Sequence, residues 1–271
     1  MRTWRRLIIC VCMIVIVHTY PIDKQKANTD DAVPETITTA AGHSQNRTGL
    51  ATGVNMIKKG DRLKITHDDI IEYLHPPPVN KRIKIKPHLR HKTIVIDPGH
   101  GGSDAGAIGA SGVLEKDLTF QTALRLRQVL IIMGADVILT RKHDDYVALA
   151  SRTSLSNSAD ADAFLSIHYN NFPEMPDVAG ISTYYYGDEN KGLADPIQTN
   201  MIKKTKADDR GTVSEDFQVL RQNKKAAVLV ELGFLSNQTE EQLLVTDVYQ
   251  KQLVNGITEG LIVYFKKNIT D

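Results

Sequence analysis

Four residues of this sequence have types and placements suited to chemistry: His100, Glu115, His168 and Glu231. His100 stands in Asp97-Pro98-Gly99-His100-Gly101-Gly102, directly after the β-branched run Thr93-Ile94-Val95-Ile96. His168 closes Ala163-Phe164-Leu165-Ser166-Ile167, and Glu231 follows Ala226-Ala227-Val228-Leu229-Val230. Glu115 lies at the far end of the glycine-rich stretch that His100 opens. Two imidazoles, one carboxylate and an open position for water make the ligand set of a catalytic zinc. A second carboxylate beside it could act as general base. Plainer readings stand next to these. His100 could be a solvated imidazole in a turn, Glu115 a charge favoured at a helix N-terminus, and His168 a strand-end residue bonded to a carbonyl. Glu231 is harder to explain this way, because a carboxylate after Val-Leu-Val in a covered strand is costly to desolvate unless paired or near a cation.

The elements that must position these residues can be read from periodicity and punctuation. Thr93–Ile96, Asp136–Thr140, Ala163–Ile167, Ile181–Tyr186 and Ala226–Val230 read as strands. Glu115 to Met133 carries apolar residues at helical spacing and is closed by Gly134. Further helices are expected at Val147–Ser158, about Leu193–Lys204, Thr239–Leu244 and Val248–Phe265, and a short strand at Phe217–Leu220. Strands alternating with helices across short turns imply right-handed parallel βαβ units. The expected fold is therefore α/β: an open, mainly parallel sheet with helices on both faces. In such sheets ligands bind beyond the carboxyl ends of the strands, where His100, His168 and Glu231 all fall. His143, in Arg141-Lys142-His143-Asp144-Asp145, reads as a solvated loop residue.

The formal charge of +1 hides an asymmetry. Residues 1–92 hold 16 Lys/Arg against 8 Asp/Glu, whereas residues 93–271 hold 17 against 24. With no basic groove-binding helix and no aromatic-basic repeat, nothing points to a nucleic-acid partner. Cys10 and Cys12 are the only cysteines, so the body has no disulfide and no thiolate ligand, and a metal there would need His and carboxylates. Arg2, Arg5 and Arg6 before the apolar Leu7–Val17 set residues 1–22 apart as a signal peptide or a membrane anchor, and the chain as exported. Residues 23–91 read as a polar, largely disordered linker. They include the glycosylation-like triplet Asn46-Arg47-Thr48 and end in Lys81–Lys92, six Lys/Arg without an acid. That basic run is a solvated linker, or a patch attracted to anionic wall polymers or a membrane surface. Residues 92–271 form the expected catalytic domain.

Six blocks in order then carry a family resemblance. They are Thr93–Gly102, Leu114-Glu115-Lys116-Asp117, Thr140-Arg141, Leu165–Asn170, Val219-Leu220-Arg221 and Val230–Asn237. Together they resemble the motif set of zinc-dependent N-acetylmuramoyl-L-alanine amidases of the amidase-3 family, of the membrane-tethered or secreted Gram-positive type. The resemblance implies one Zn2+ per chain held by His100, Glu115 and His168, with Glu231 as the catalytic acid/base. It implies peptidoglycan as substrate, cut at the amide between the lactyl group of N-acetylmuramic acid and L-alanine of the stem peptide. Asn170 and Arg221, inside the matching blocks, are candidate substrate contacts, and Asp97 a candidate support for the loop or for an imidazole. A zinc peptidase acting elsewhere in the stem, or a non-catalytic wall-binding protein, are the alternatives. Tyr169 and Asn171 flank Asn170 where the family has smaller residues, which bears on the groove beside the metal. Eleven residues separate His168 from Gly180, too few for the long helix that plugs the division amidases of Gram-negative bacteria.

Overall fold

A computed structural model describes residues 87–267. The expected N-terminal segment 1–22, most of the linker and the Asn46 triplet lie outside the described residues. The elements follow in the order β1 (Thr93–Pro98), α1 (Glu115–Ile132), β2 (Asp136–Leu139), α2 (Leu149–Ser158), β3 (Ala163–Asn170) and β4 (Ile181–Tyr185). They continue with α3 (Asp188–Thr205), β5 (Asp209–Ser214), α4 (Gln218–Arg221), β6 (Ala226–Phe234), α5 (Gln238–Leu244) and α6 (Asp247–Lys267). The six strands form one sheet in the order β2-β1-β3-β6-β4-β5.

The sheet is mostly parallel, with one reversal that matters for the site. β2, β1, β3 and β6 run together, β4 is antiparallel to β6, and β5 is parallel to β4. The amino ends of β4 and β5 therefore meet the carboxyl ends of β3 and β6. Successive strand residues point to opposite faces, and each face has its own core. Ile94, Ile96, Leu165, Ile167, Val228 and Val230 pack with α1, α3 and α6. Val95, Phe164, Ala227 and Leu229 pack on the other face with Val219 and Leu220 of α4, which in turn lies against α2. Both faces are covered, so the central strands read as unbroken apolar runs.

The structure differs from the expected elements at three places. Phe217–Leu220 does not form a strand, since Gln218–Arg221 makes one helical turn. Val219 and Leu220 are both buried in the same cluster, which neighbours about 100° apart on a helix can reach together but neighbours on opposite faces of a strand cannot. The strand in this region is instead β5, a half-exposed edge strand whose sequence Asp-Arg-Gly-Thr-Val-Ser has no apolar alternation. α3 also begins earlier than its apolar residues suggest, with a polar first turn that carries Asp188 and Glu189. At the other end, the packed body includes residues before Lys92. Leu89 is fully buried and its N–H donates to the Met133 carbonyl at 2.9 Å.

Candidate metal centre

The loop after β1 is held by its own carbonyls. Gly99 N–H donates to Ile167 O at 3.0 Å, which carries the ladder one residue past β1. His100 then turns out with φ +60, a conformation rare for a residue with a Cβ. Two buried arginines fix this turn. Arg141 donates to Pro98 O at 3.1 Å, Gly99 O at 3.2 Å and Lys116 O at 2.7 Å, with its guanidinium 4.9 Å over the Phe120 ring. Arg152 donates to Pro98 O at 2.8 Å and His100 O at 2.9 Å. Burial, and then the charge of Arg152, lower the Arg141 pKa to about 10, so it stays a cation.

Asp97 completes this frame. Its Oδ1 accepts from Arg152 at 2.7 Å and Thr140 at 2.5 Å, and its Oδ2 accepts from Ser166 at 2.8 Å. At 1% exposure this carboxylate supports the loop through Arg152, with its hydrogen bonds going to a guanidinium and two hydroxyls. Sequence reasoning assigned no role to Arg141 or Arg152. The available signal was Asp97 itself: an acid ending a buried strand requires a cation, although nothing local says which one.

Glu115 opens α1 and folds back over the loop. Its Oε1 accepts the Tyr169 N–H at 3.0 Å and lies 3.0 Å from His168 Nδ1. Its Oε2 accepts the Ala107 N–H at 2.8 Å and lies 3.1 Å from His100 Nε2. The imidazoles meet edge to face with centroids 4.9 Å apart. One ligand atom from each of His100, Glu115 and His168 falls within 4.8 Å of the others. Burial alone would raise the Glu115 pKa, but hydrogen bonds to His100 and His168 and their charge hold it well below the usual carboxylate range. Burial likewise opposes charge on His100, and Glu115 and Asp104 outweigh it to raise that pKa. Two imidazole nitrogens and a carboxylate oxygen, converging in a half-buried corner, suit a borderline divalent cation such as zinc.

Asp104 is a residue that the sequence reading missed. Its Oδ2 lies 2.9 Å from His100 Nδ1, the ring nitrogen facing away from Glu115. A carboxylate there fixes the tautomer that leaves Nε2 free to ligate. Gly106 makes room for the cluster: at φ +65, a Cβ would sit 2.6 Å from both Glu115 Oε2 and His100 Cδ2. Gly106→Ala should therefore lower divalent-metal affinity about 10- to 100-fold, measured by competition with a chelator, and parent-like affinity would contradict this placement.

Glu231 completes the row. It pairs with His168 of β3 on one side and with Ser182 of β4 on the other. The residue is partly exposed, yet its Oε2 is buried and has no hydrogen-bond partner among the described residues. Burial, and then the negative charge of Glu115, raise its pKa well above the ordinary value. The remaining candidates sit apart from this row. Asn170 is partly exposed, its Oδ1 accepting the Asn171 N–H at 2.9 Å. Arg221 is exposed and paired with Asp216. His143 is exposed. Tyr169 does not shape the groove, because it points to the face opposite its neighbour His168. There it is buried, with its hydroxyl 2.7 Å from Thr122 Oγ1 and from Gln250 Nε2. Residues 171–180 form turns and no helix.

The family described as N-acetylmuramoyl-L-alanine amidase matches residues 94–263. The chain belongs to this family. A relative from Staphylococcus aureus, described as a probable cell wall amidase LytH, is 42% identical over 184 residues, covering 67% of this chain and 61% of the relative. The chain thus spans less than two thirds of that protein's length. Among solved structures, an N-acetylmuramoyl-L-alanine amidase from Clostridium difficile 630 is 38% identical with a TM-score of 0.63. The match covers 65% of this chain and 97% of that one. The catalytic domain of CwlV from Bacillus (Paenibacillus) polymyxa var. colistinus is 33% identical at the same TM-score, over 65% of this chain and 98% of its own. The α/β fold described above is the fold of these amidases.

Proposed function

We propose that this chain is a zinc-dependent peptidoglycan amidase. It hydrolyses the amide between the lactyl group of N-acetylmuramic acid and L-alanine of the stem peptide. The observation that carries this reading is a two-His, one-carboxylate donor set next to a buried carboxyl oxygen without a partner. Family membership supplies the substrate class. The site lies toward the carboxyl ends of β1, β3 and β6, with His168 and Glu231 still inside the last residues of their strands, the end at which open α/β sheets bind ligands.

His100 Nε2, Glu115 and His168 would hold the metal, with Asp104 orienting His100 and the Tyr169 and Ala107 N–H groups orienting Glu115. A bound zinc would lower the pKa of a coordinated water to about 7 and polarise the scissile carbonyl. Glu231 takes the proton from the attacking water at Oε2. It returns that proton to the alanine nitrogen as the C–N bond breaks, releasing a free stem-peptide amine and a lactyl carboxylate. A carboxyl whose pKa is raised by burial and by the charge of Glu115 is a stronger base than an exposed one, which favours this transfer. Asn170, beside His168 at the end of β3, is the substrate contact this reading favours. Arg2, Arg5 and Arg6 before an apolar run support action outside the cytoplasmic membrane. Among the described residues no helix is long and apolar enough to cross a membrane.

Digestion of purified peptidoglycan with and without a chelator tests this reading, with the new ends identified by mass spectrometry. Free stem peptides beginning at L-alanine, lost on chelation, are expected. New ends within the peptide would instead make the chain a peptidase, and no chelator-sensitive product would leave only binding. Asp104→Ala should weaken zinc binding about 10- to 100-fold without removing a ligand, and unchanged affinity would remove Asp104 from the site.

A further inference from the structure

α5 carries two adjacent buried acids for which the proposed reaction has no use. Glu240 is 7% exposed and Glu241 is 2% exposed. They turn in different directions. Glu240 accepts the Phe234 N–H at 2.7 Å and the Gly180 N–H at 3.0 Å, binding the end of β6 to the approach to β4. Glu241 reaches across 130 positions of sequence to the tip of the metal loop. There it accepts the Ser111 N–H at 3.0 Å and the Ser111 hydroxyl at 2.9 Å.

We infer that Glu241 is a positioning residue for the metal centre, clamping the Gly109–Ser111 tip so that the loop between His100 and Glu115 keeps its ligating shape. The inference rests on the zinc reading above. Between those two ligands lie five glycines, Gly101, Gly102, Gly106, Gly109 and Gly112. Such a segment loses much conformational entropy when ordered. Its near end is tied at Ala107, which donates to Glu115 Oε2 and accepts the Glu115 N–H at 2.9 Å. Its far end is tied to the body through Glu241 and by the Ala110 N–H to Leu235 O at 3.3 Å. The seat is made for a carboxylate, since a Cβ on Gly109 would lie 2.0 Å from Glu241 Oε1. The carboxyl group is buried, so each donor it loses would leave an oxygen desolvated and unpaired.

Zinc affinity of the full chain, measured by chelator competition, tests the clamp. Glu241→Ala is expected to weaken it about 10-fold and to speed amide hydrogen exchange at Ala107 and Ser111 in the zinc-free chain. Glu241→Gln keeps one acceptor oxygen and is expected to recover most of the affinity. Glu240→Gln, on the same helix but facing away from the loop, is expected to leave zinc affinity as in the parent. If Glu241→Ala does not fold, Gly109→Ala reads the same effect, because it keeps every buried polar group and only crowds Oε1. Parent-like affinity and exchange in the folded variant, or an equal loss in Glu240→Gln, overturn the inference while the zinc reading stands. A parent chain that binds no zinc overturns both.

Discussion

Glu231→Gln is expected to lower kcat about 100- to 10,000-fold, the usual contribution of a general base, while zinc content stays at the parent level. The substitution keeps side-chain shape and removes only the ability to accept a proton. Glu231 lies next to His168 in the sheet register but is not one of the three converging ligands, so the metal should remain. Folding should not suffer. The carboxyl is destabilised where it stands by burial and by the charge of Glu115, and a neutral amide escapes both effects. With the metal removed from both proteins, a melting temperature at or above that of the parent is therefore expected. Amide release from peptidoglycan and metal content measured on the same preparation decide the matter. Turnover within tenfold of the parent would discard Glu231 as the base.

Arg152→Ala is expected to destabilise the protein by about 3–5 kcal/mol, the range for breaking a buried ion pair. That is a large share of the roughly 5–15 kcal/mol that holds a typical domain together. The guanidinium and its partner Asp97 are 3% and 1% exposed. Truncation leaves the Asp97 charge without its cation, and Pro98 O and His100 O each lose a donor. Urea denaturation of the metal-free chain measures the loss directly. The double variant Asp97→Asn/Arg152→Ala should be more stable than Arg152→Ala alone, because the orphaned charge is gone. Strict additivity of the two changes would show that the pair is not coupled. Metal affinity should fall with Arg152→Ala as well, since the same arginine holds the His100 carbonyl.

Local pattern was enough to find the residues that converge. An apolar run that meets glycine or a charge marked the neighbourhood of His100, His168 and Glu231, although β3 and β6 run on past the last two, to Asn170 and Phe234. Burial on both faces makes the covered strands unbroken apolar runs, so β1, β2, β3, β4 and β6, the long helices and the two-sided core could also be read in advance, whereas β5, without an apolar pattern, could not. Val219-Leu220 misled, because two adjacent apolar residues fit a strand core and a helical turn equally well and only their shared cluster decides between them. Tyr169 misled in the opposite way. Its size, where the family has smaller residues, drew attention to the groove, although alternation along β3 turns it away.

Contacts between distant segments were a different matter. The chain order does not say that β4 and β5 run against the rest of the sheet, yet that reversal sets Ser182 beside Glu231. Nor does it say which cation meets Asp97, 55 positions from Arg152, or which donor meets Glu241, 130 positions from Ser111. Apolar periodicity is a local property because burial requires only a face. A buried polar group requires a particular partner at a particular distance, and that partner is chosen when the sheet order brings remote elements together. The chemistry of the site was thus legible as a set of residue types at strand ends. Its geometry, from the arginines that hold the loop to the unpartnered oxygen of Glu231, was decided by the tertiary structure.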